Sequence, residues 1–279
     1  MTNAGRGIEI RRVGVISIGP KESVREPLEY LRKKSSELSV EVLEIETSDI
    51  TEDNLEIDFA IALGGDGTML QALRYFLGTS IPVIGINFGR IGFLTSISRN
   101  EFRDGLDQVF LGNFDVVDLS TLEITLNDKR FLAVNDVVAT SSIPGRMVKL
   151  HASLGGESFS STDCDGIICC TPSGSTAYNL SNNGPVIMRG LDAMAMTYIA
   201  PHSLHSRPIV VPSTLHLEVT NETADVPVSI LVDGRLAGCL SNKETLNIHI
   251  GKERARLALL PGVTFFSRYR EVFLGGFAS

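Results

Sequence analysis

The sequence predicts an α/β N-terminal domain with a parallel sheet, followed by a mainly β C-terminal domain. Up to about residue 115, apolar strand-like segments alternate with helical patterns, as is typical of a parallel sheet covered by helices. Beyond the helical pattern at 101–111, short alternating segments dominate, and Asp233–Gly234 between two of them is a strong signal for a two-residue hairpin. This change of rhythm separates the two predicted domains.

The individual elements follow from the same patterns. In the first domain the predicted strands are Val13–Ile18, Val40–Ile45, Phe59–Leu63 and Ile81–Ile86, and the predicted helices are Pro27–Leu38, Thr68–Leu77 and Glu101–Leu111. In the second domain the predicted strands are Leu122–Leu126, Arg130–Val134, Leu215–Val219, Val228–Val232, Arg235–Gly238, Thr245–Ile250 and Arg256–Leu260, with one helix around Ser175–Leu180. The predicted division is 1–115 for the α/β domain, 116–262 for the mainly β domain and 263–279 for a C-terminal segment.

Composition favours a globular enzyme but does not identify one. A chain of 279 residues can bury a large core. With 25 basic and 33 acidic residues the formal net charge is −8, and no block of Lys or Arg favours binding to nucleic acid or to an anionic membrane. No apolar segment approaches the ~20 residues of a membrane span, and the N-terminus lacks an apolar leader core, so we expect a cytoplasmic protein.

Cysteine and histidine spacing does not favour a metal site. The chain has four cysteines, Cys164, Cys169, Cys170 and Cys239. They lack the paired C-x-x-C spacing of zinc modules, and Cys169 and Cys170 lie in an apolar run, which favours buried reduced thiols. His202 and His205 are three residues apart, unlike the histidines of a His-Glu-x-x-His site.

The segment Gly64–Thr68, with the sequence Gly-Gly-Asp-Gly-Thr, is the most informative part of the chain. Its glycines let backbone N–H groups approach an anion without interference from Cβ atoms, and Thr68 can cap the helix that follows. A carboxylate at Asp66 is unfavourable beside a polyphosphate unless it binds a metal or accepts a proton from an attacking hydroxyl. The segment therefore suggests phosphoryl transfer, with a Gly-Asp-Gly turn that performs no chemistry as the alternative.

Downstream motifs add a family resemblance. Together with the Gly-Gly-Asp-Gly-Thr turn, two segments resemble signatures of the ATP-NAD kinases: Ala133–Val138, which contains an Asn-acidic pair, and Thr171–Asn179 preceded by Asp165–Gly166. Further similar segments are Gly89–Leu94, Pro201–Leu204, Arg207–Pro208 and Val232–Gly234. Because these segments follow the family's order from Val13 to Gly262, the chain is identified as a member of the NAD kinase family.

The resemblance implies transfer of the terminal phosphoryl group of ATP, or of polyphosphate in some members, to the 2′-hydroxyl of the adenosine ribose of NAD. It also implies a divalent cation, expected to be Mg²⁺. Asp66 matches the family's catalytic aspartate, and the residues implied to bind phosphate are Gly64, Gly65, Gly67 and Thr68. No Gly-x-x-x-x-Gly-Lys-Ser/Thr sequence is present, so the cation, bound mainly through the phosphates, would neutralise more of the charge.

The resemblance also assigns NAD-binding residues. Asn135 and Asp136 would bind the ribose hydroxyls, and Asp165 would accept a hydrogen bond from the adenine amino group. The nucleoside pocket would be lined by Ser173, Thr176, Ala177, Tyr178 and Phe93, with ordinary core packing as the alternative for the two aromatic residues. Asp233 would contact the ligand, but hairpin geometry explains it equally well.

Family architecture supports the two-domain division. NAD kinases place an α/β domain before a β-rich one and bind nucleotide between them, and they form homodimers or homotetramers. Their last residues cross back onto the first domain, so we expect Phe265–Phe273 to pack there rather than form a mobile tail.

The sequence departs from the family pattern at two positions. Many relatives have Glu in place of Asp136, and several have Arg in place of Asp163, two residues before Asp165. If that Arg holds the nicotinamide half or the phosphates, Arg146, Arg207 or a residue of a neighbouring subunit must replace it. Two other functions stay open, a lipid kinase that shares the turn and a catalytically silent dinucleotide sensor. A lipid kinase, however, leaves the segment Thr171–Asn179, the Thr-Pro-to-Asn block, unexplained.

Overall fold

The computed structural model of the chain describes residues 3–4, 9–18, 21–45, 56–89 and 92–275. By its internal contacts the chain divides into unit 1, Met1–Asp118 with Ala255–Ser279, and unit 2, Leu119–Arg254. The observed division differs from the predicted boundaries at 115 and 262, chiefly because residues 255–262 belong to unit 1.

Unit 1 is an α/β unit around one mostly parallel sheet. Its strands are β1 Asn3–Ala4, β2 Arg12–Ser17, β3 Glu41–Glu44, β4 Phe59–Leu63, β5 Val83–Asn87, β6 Ile97–Ser98, β7 Asp115–Leu119 and β20 Ala255–Leu259. Its helices are α1 Lys21–Glu37, α2 Asp66–Tyr75, α3 Phe102–Phe110 and α5 Phe265–Phe273. The sheet order is β1-β7-β20-β5-β4-β2-β3, with β6 paired to β5. All five residues of β4 and all five of β5 are buried, as expected for central strands covered on both faces.

One strand prediction is corrected by this sheet. The segment predicted as Arg256–Leu260 in the second domain is β20, and it pairs in parallel with β5, with Leu257 opposite Val83. Strand partners are chosen by nonlocal packing, which a local apolar pattern does not report.

Two predicted helices begin earlier than expected. Helix α1 begins six residues before Pro27 and contains that proline. Helix α2 begins at Asp66 rather than at Thr68, with Gly65 as its N-cap residue and no side-chain cap hydrogen bond. The predicted capping role of Thr68 is therefore wrong: this side chain lies inside the first turn and is buried.

Unit 2 is a sandwich of two six-stranded antiparallel sheets. Its strands are β8 Leu122–Leu126, β9 Lys129–Ala133, β10 Asp136–Ser141, β11 Val148–Leu154, β12 Glu157–Cys164, β13 Gly166–Cys170, β14 Ala193–Ile199, β15 Ile209–Pro212, β16 Leu217–Asn221, β17 Val228–Val232, β18 Arg235–Leu240 and β19 Thr245–Ile250. The two sheets have the orders β15-β14-β13-β10-β17-β18 and β12-β11-β16-β19-β8-β9. The predicted helix around 175–180 is a 3₁₀ turn at Gly174–Thr176 followed by the short helix α4, Tyr178–Ser181.

The core of unit 2 follows the two-residue period of its strands. Val137 and Cys169 point into the cluster shared by both sheets, whereas Val138 and Cys170 pack on the opposite face of their sheet. The cysteines are free thiols, and burial raises the pKa of Cys170 to about 12, so this thiol stays protonated and packs as an apolar group. Cys239, also free, is exposed.

Helix α5 ends the described chain. It begins with a capping box in which Thr264 and Ser267 exchange side-chain and backbone hydrogen bonds. Residues 276–279 of the predicted C-terminal segment lie outside the described ranges, as do Arg90 and Ile91 of the predicted Gly89–Leu94 motif. Within those ranges, every helix is too short or too polar to cross a bilayer.

Candidate active site

Asp66 occupies the first position of α2, directly after the strand β4 and two connecting glycines. Its carboxylate accepts two backbone hydrogen bonds, from the N–H of Phe93 to Oδ2 at 2.8 Å and from the N–H of Leu94 to Oδ1 at 3.0 Å. An ionised carboxylate offers about four lone-pair positions, so one on each oxygen remains for another donor. The two amides therefore fix the direction of the carboxylate without filling its accepting capacity.

The glycines around Asp66 differ in how much room their surroundings leave for a side chain. A methyl group at Gly64 would lie 2.1 Å from Oγ1 of Thr68, so the turn closes only with glycine there. A Cβ atom at Gly65 or Gly67 would meet no described atom within 4 Å. No packing contact among the described residues requires glycine at those two positions, which is what close approach of a ligand to bare backbone would need.

Gly92 is a site residue that the sequence prediction did not single out. A Cβ atom at this position would lie 2.1 Å from Oδ1 of Asp66, so the backbone before Phe93 runs directly against the carboxylate. Gly92 belongs to the Gly89–Leu94 motif, which was the signal that could have identified it.

Phe93 and Tyr178 differ in burial. Phe93 is only 7% exposed, and its ring centroid lies 5.9 Å from that of Phe265 and 5.6 Å from that of Phe273, so core packing accounts for this ring. Tyr178, the first residue of α4, is 44% exposed, which excludes ordinary core packing in the free chain. An exposed aromatic face suits stacking on a base.

Asp233 is tied to the Asn-acidic pair of unit 2. Its carboxylate accepts the backbone N–H of Val134 at 2.9 Å, of Asn135 at 2.7 Å and of Asp136 at 3.1 Å. Asp233 and Gly234 both have positive φ, 46° and 76°, as the predicted two-residue hairpin requires. The hairpin therefore orients the start of β10, and the Asp233 carboxylate is committed to backbone groups.

Two buried polar atoms without hydrogen-bond partners in the described ranges belong to Asn135, whose backbone N–H donates to Asp233, and to Ser173. Oδ1 of Asn135 and Oγ of Ser173 form no hydrogen bond with any described part of the chain. The two residues are held together because Thr171 N–H donates to the Asn135 carbonyl and a Cβ atom at Gly174 would lie 2.0 Å from that oxygen. A buried polar atom without a partner is costly, so this pair calls for a hydrogen-bonding partner that the described residues do not supply.

Asp136 adds a buried carboxylate to the same cluster. It is 6% exposed, and burial, followed by the negative charge of Asp233, raises the pKa of Asp136 to about 7. Sugar hydroxyls that donate to this oxygen would favour its ionised form. Asn135 and Asp136, which the motifs predicted to bind ribose, therefore lie in one buried polar cluster with Ser173, which was predicted to line the nucleoside pocket.

Asp165 lies apart from this cluster. It immediately precedes β13, whose other end, Cys170, is opposite Asp136. Five residues of extended chain separate the two ends by about 17 Å. The Asp165 carbonyl accepts hydrogen bonds from Ser141 N–H and the Thr140 hydroxyl, while the residue itself is exposed. The structure separates the predicted adenine contact from the predicted ribose contacts.

The remaining predicted pocket residues follow Ser173 in the chain. Thr176 donates its hydroxyl to the carbonyl of Ser173 at 3.3 Å, and Ala177 connects the 3₁₀ turn to α4. Of the arginines considered as replacements at Asp163, Arg207 donates to the carbonyls of Leu204 and Ser206 in its own loop.

The Thr-Pro-to-Asn block also contains residues that build the pocket without facing it. The Thr171 hydroxyl donates to the Val134 carbonyl and accepts from Gly174 N–H. Asn179 is fully buried and joins the carbonyls of Ser175 and Pro185 through its amide nitrogen. These hydrogen bonds hold the backbone of the segment Thr171–Asn179 in place, so its buried polar residues are needed together.

The structure contains no set of side chains for a tightly held metal in the described ranges: nowhere there do three His, Cys, Asp or Glu residues converge. A cation carried mainly by nucleotide phosphates needs no such set, because Mg²⁺ is commonly bound through substrate phosphates and one or two carboxylates.

Comparisons of sequence support the interpretation of both units. Residues 11–114 match the family model of the ATP-NAD kinase N-terminal domain, and residues 134–260 match that of the ATP-NAD kinase C-terminal domain. An NAD kinase of Gemmatimonas aurantiaca is 38% identical over 220 residues, covering 77% of this chain and 76% of that protein. An NAD kinase of Moorella thermoacetica is 31% identical over 276 residues, covering 94% and 89%.

Comparisons of structure agree. A yeast NADH kinase in complex with NADH superposes with a TM-score of 0.83 at 23% identity, covering 98% of this chain and 89% of that one, which shows a common fold. An NAD kinase from Archaeoglobus fulgidus in complex with ATP gives a TM-score of 0.75 at 26% identity, covering 94% and 97%.

Proposed function

Because the chain belongs to the ATP-NAD kinase family, we propose that it transfers the terminal phosphoryl group of ATP to the 2′-hydroxyl of the adenosine ribose of NAD, with Asp66 as the proton acceptor. The observation that carries this assignment is the carboxylate at the start of α2, held by two backbone amides with accepting positions to spare.

The chemical step needs a base at the acceptor oxygen. The 2′-oxygen attacks the terminal phosphorus, the bond from that phosphorus to the bridging oxygen breaks, and ADP leaves. The hydroxyl proton passes to Asp66. A positioned carboxylate in this role contributes roughly 10²- to 10⁴-fold to the rate. The glycines of the turn would let backbone N–H groups approach the phosphates, and Mg²⁺ bound through those phosphates would neutralise their charge.

NAD binding is assigned to the cluster in unit 2. The free Oδ1 of Asn135 and the carboxylate of Asp136 would accept from ribose hydroxyls, and Oγ of Ser173 would complete the polar contacts. Tyr178 would stack on the adenine, Asp165 would accept from the adenine amino group, and Phe93 would form part of the pocket wall. Asp165 precedes the end of β13 that lies away from Asp136, and the Phe93 ring also packs on α5. Asp233 would act on NAD through the backbone that it holds.

One assay tests the reaction and its rivals. The purified chain is incubated with NAD, ATP and Mg²⁺, and NADP is measured with an NADP-specific dehydrogenase against a heat-killed control. Parallel reactions replace ATP by polyphosphate, NAD by NADH, and Mg²⁺ by a chelator. NAD binding without NADP formation would indicate a dinucleotide sensor. Labelled phosphate on diacylglycerol or a sphingoid base, with none on NAD, would indicate a lipid kinase.

We also propose cytoplasmic location and self-association as a homodimer or homotetramer. Large apolar side chains are exposed on unit 2, with Leu204 at 88% and Leu236 at 67%, and burial against a second copy would remove this area from water. Light scattering after size-exclusion chromatography measures the subunit number directly, and a monomer at micromolar concentration would reject this part of the proposal.

A further inference from the structure

One face of helix α5 carries a stripe of aromatic rings. Phe265, Tyr269 and Phe273 are spaced four residues apart, and their successive ring centroids lie 6.4 and 4.8 Å apart. Phe93 packs against both ends of the stripe, at 5.9 Å from Phe265 and 5.6 Å from Phe273. The ring of Phe93 is thereby held by the last helix of the chain.

The backbone of the same residue holds Asp66. The amides of Phe93 and Leu94 donate to the two carboxylate oxygens, and Gly92 brings the chain close enough for both bonds. Phe93 therefore contacts α5 with its ring and the Asp66 carboxylate with its N–H. Because Phe93 is buried and its ring is packed, we expect a change in the ring's contacts to shift the amide as well.

The chain after β20 holds this stretch at a second point. The guanidinium of Arg268 donates to the carbonyl of Ser96 at 3.0 Å, and the backbone N–H of Leu260 donates to the hydroxyl of Ser96 at 2.7 Å. Ser96 lies two residues after Leu94, so the chain after β20 holds the stretch that carries both amide donors from two sides.

We propose that α5 is a positioning element for the catalytic carboxylate: its rings fix Phe93, Phe93 and Leu94 fix Asp66, and removal of a ring lowers turnover without weakening NAD binding. This inference rests on the proposed function of Asp66. A misplacement of about 1 Å at a reacting group can cost up to ~10²-fold in rate, so loss of one ring contact is expected to be measurable.

The test compares Phe273→Ala, Phe273→Leu and Phe266→Ala. Phe266 lies on the same helix but is 62% exposed, and its ring contacts that of Phe265 at 6.1 Å, whereas Phe93 contacts Phe265 and Phe273, so Phe266→Ala is the matched control. We expect Phe273→Ala to lower kcat about tenfold with KM for NAD changed less than threefold. Phe273→Leu should recover most of the loss, and Phe266→Ala should match the parent chain. A fall in NAD affinity equal to the fall in kcat would overturn the proposal.

A double substitution separates positioning from general destabilisation. If α5 acts through Asp66, Phe273→Ala should have little further effect on the residual kcat of an Asp66→Asn chain, because the group being positioned is already absent. Circular dichroism checks that both chains are folded. If Phe273→Ala lowers kcat by the same factor in the Asp66→Asn chain as in the parent chain, the proposal is overturned. If the parent chain itself forms no NADP, the proposed function fails instead, so the two failures are distinguishable.

Discussion

The turn at Gly64–Thr68 and the cluster of Asn135, Asp136 and Ser173 treat their polar groups in opposite ways. At the turn, the Asp66 carboxylate is oriented by two backbone amides. In the cluster, an amide oxygen and a hydroxyl are buried without partners, and a carboxylate is buried beside another negative charge. The first arrangement is suited to holding a reacting group in a fixed direction, and the second leaves hydrogen-bonding capacity for a ligand. Removing groups from each region should therefore affect different kinetic constants.

The largest expected effect is at the turn. Asp66→Asn keeps the size of the side chain but removes the proton acceptor and one of the two accepted backbone hydrogen bonds, so kcat should fall at least ~10²-fold while NAD affinity changes only a few-fold. Steady-state kinetics and calorimetric NAD binding measure the two quantities. Near-normal turnover would remove Asp66 from its proposed role and break the comparison.

Gly92→Ala tests whether the direction of the carboxylate matters when its chemistry is kept. The added methyl group would collide with Oδ1 of Asp66 at 2.1 Å, so we expect kcat to fall about tenfold or more with KM for NAD nearly unchanged. Gly89→Ala is the control in the same loop, since its Cβ atom would make only an ordinary contact at 3.8 Å. Equal kinetics for the two variants would contradict the prediction.

Asp136 should make the free chain pH-sensitive. The pKa of Asp136 is raised to about 7 in the folded state, so the folded chain binds a proton that the unfolded chain has released between about pH 4 and 7. The unfolding free energy should therefore fall as pH rises through this window, by up to about 1.4 kcal/mol per pH unit from this group.

Asp136→Asn should remove this contribution. Urea unfolding at several pH values measures it, as the slope of the parent chain minus the slope of the variant. Exposed Asp163 provides the control, because Asp163→Asn should retain the parent slope. Parallel slopes for the parent and Asp136→Asn would show that folding does not raise the pKa of Asp136.

The smallest effect is expected from two serines of one motif. The Ser173 hydroxyl has no partner among the described residues, so Ser173→Ala should leave unfolding free energy unchanged or slightly higher, while NAD affinity falls a few-fold. The Ser175 hydroxyl donates to the carbonyl of Pro172 at 2.7 Å and accepts from Ile187 N–H at 2.9 Å, so Ser175→Ala should lose about 1–3 kcal/mol of stability. Chemical denaturation should show Ser175→Ala to be the less stable variant, and NAD titration should show Ser173→Ala to be the weaker binder. Any other ranking would argue against a ligand role for Ser173.

Local pattern predicted much of the fold. Strand β4 has the predicted bounds, and the Asp233–Gly234 hairpin has both residues at positive φ, because each depends on neighbours in sequence. The strands from β10 to β15 were largely missed, since several of them, such as β13, are continuously buried and lack alternation. The partner of β20 was also missed, because parallel pairing joins distant segments.

For the candidate site, too, some features follow from local sequence and others from tertiary contacts. Sequence alone determined the chemical groups and their order: a carboxylate in a glycine turn, an Asn-acidic pair and the Thr-Pro-to-Asn block, because residue type and local spacing carry that information. Only the tertiary structure decided that Asp233 holds the backbone of that pair, that Asp165 lies at the far end of β13, and that Phe93 connects α5 to Asp66. These relations depend on burial and on contacts between distant segments, which local pattern does not encode.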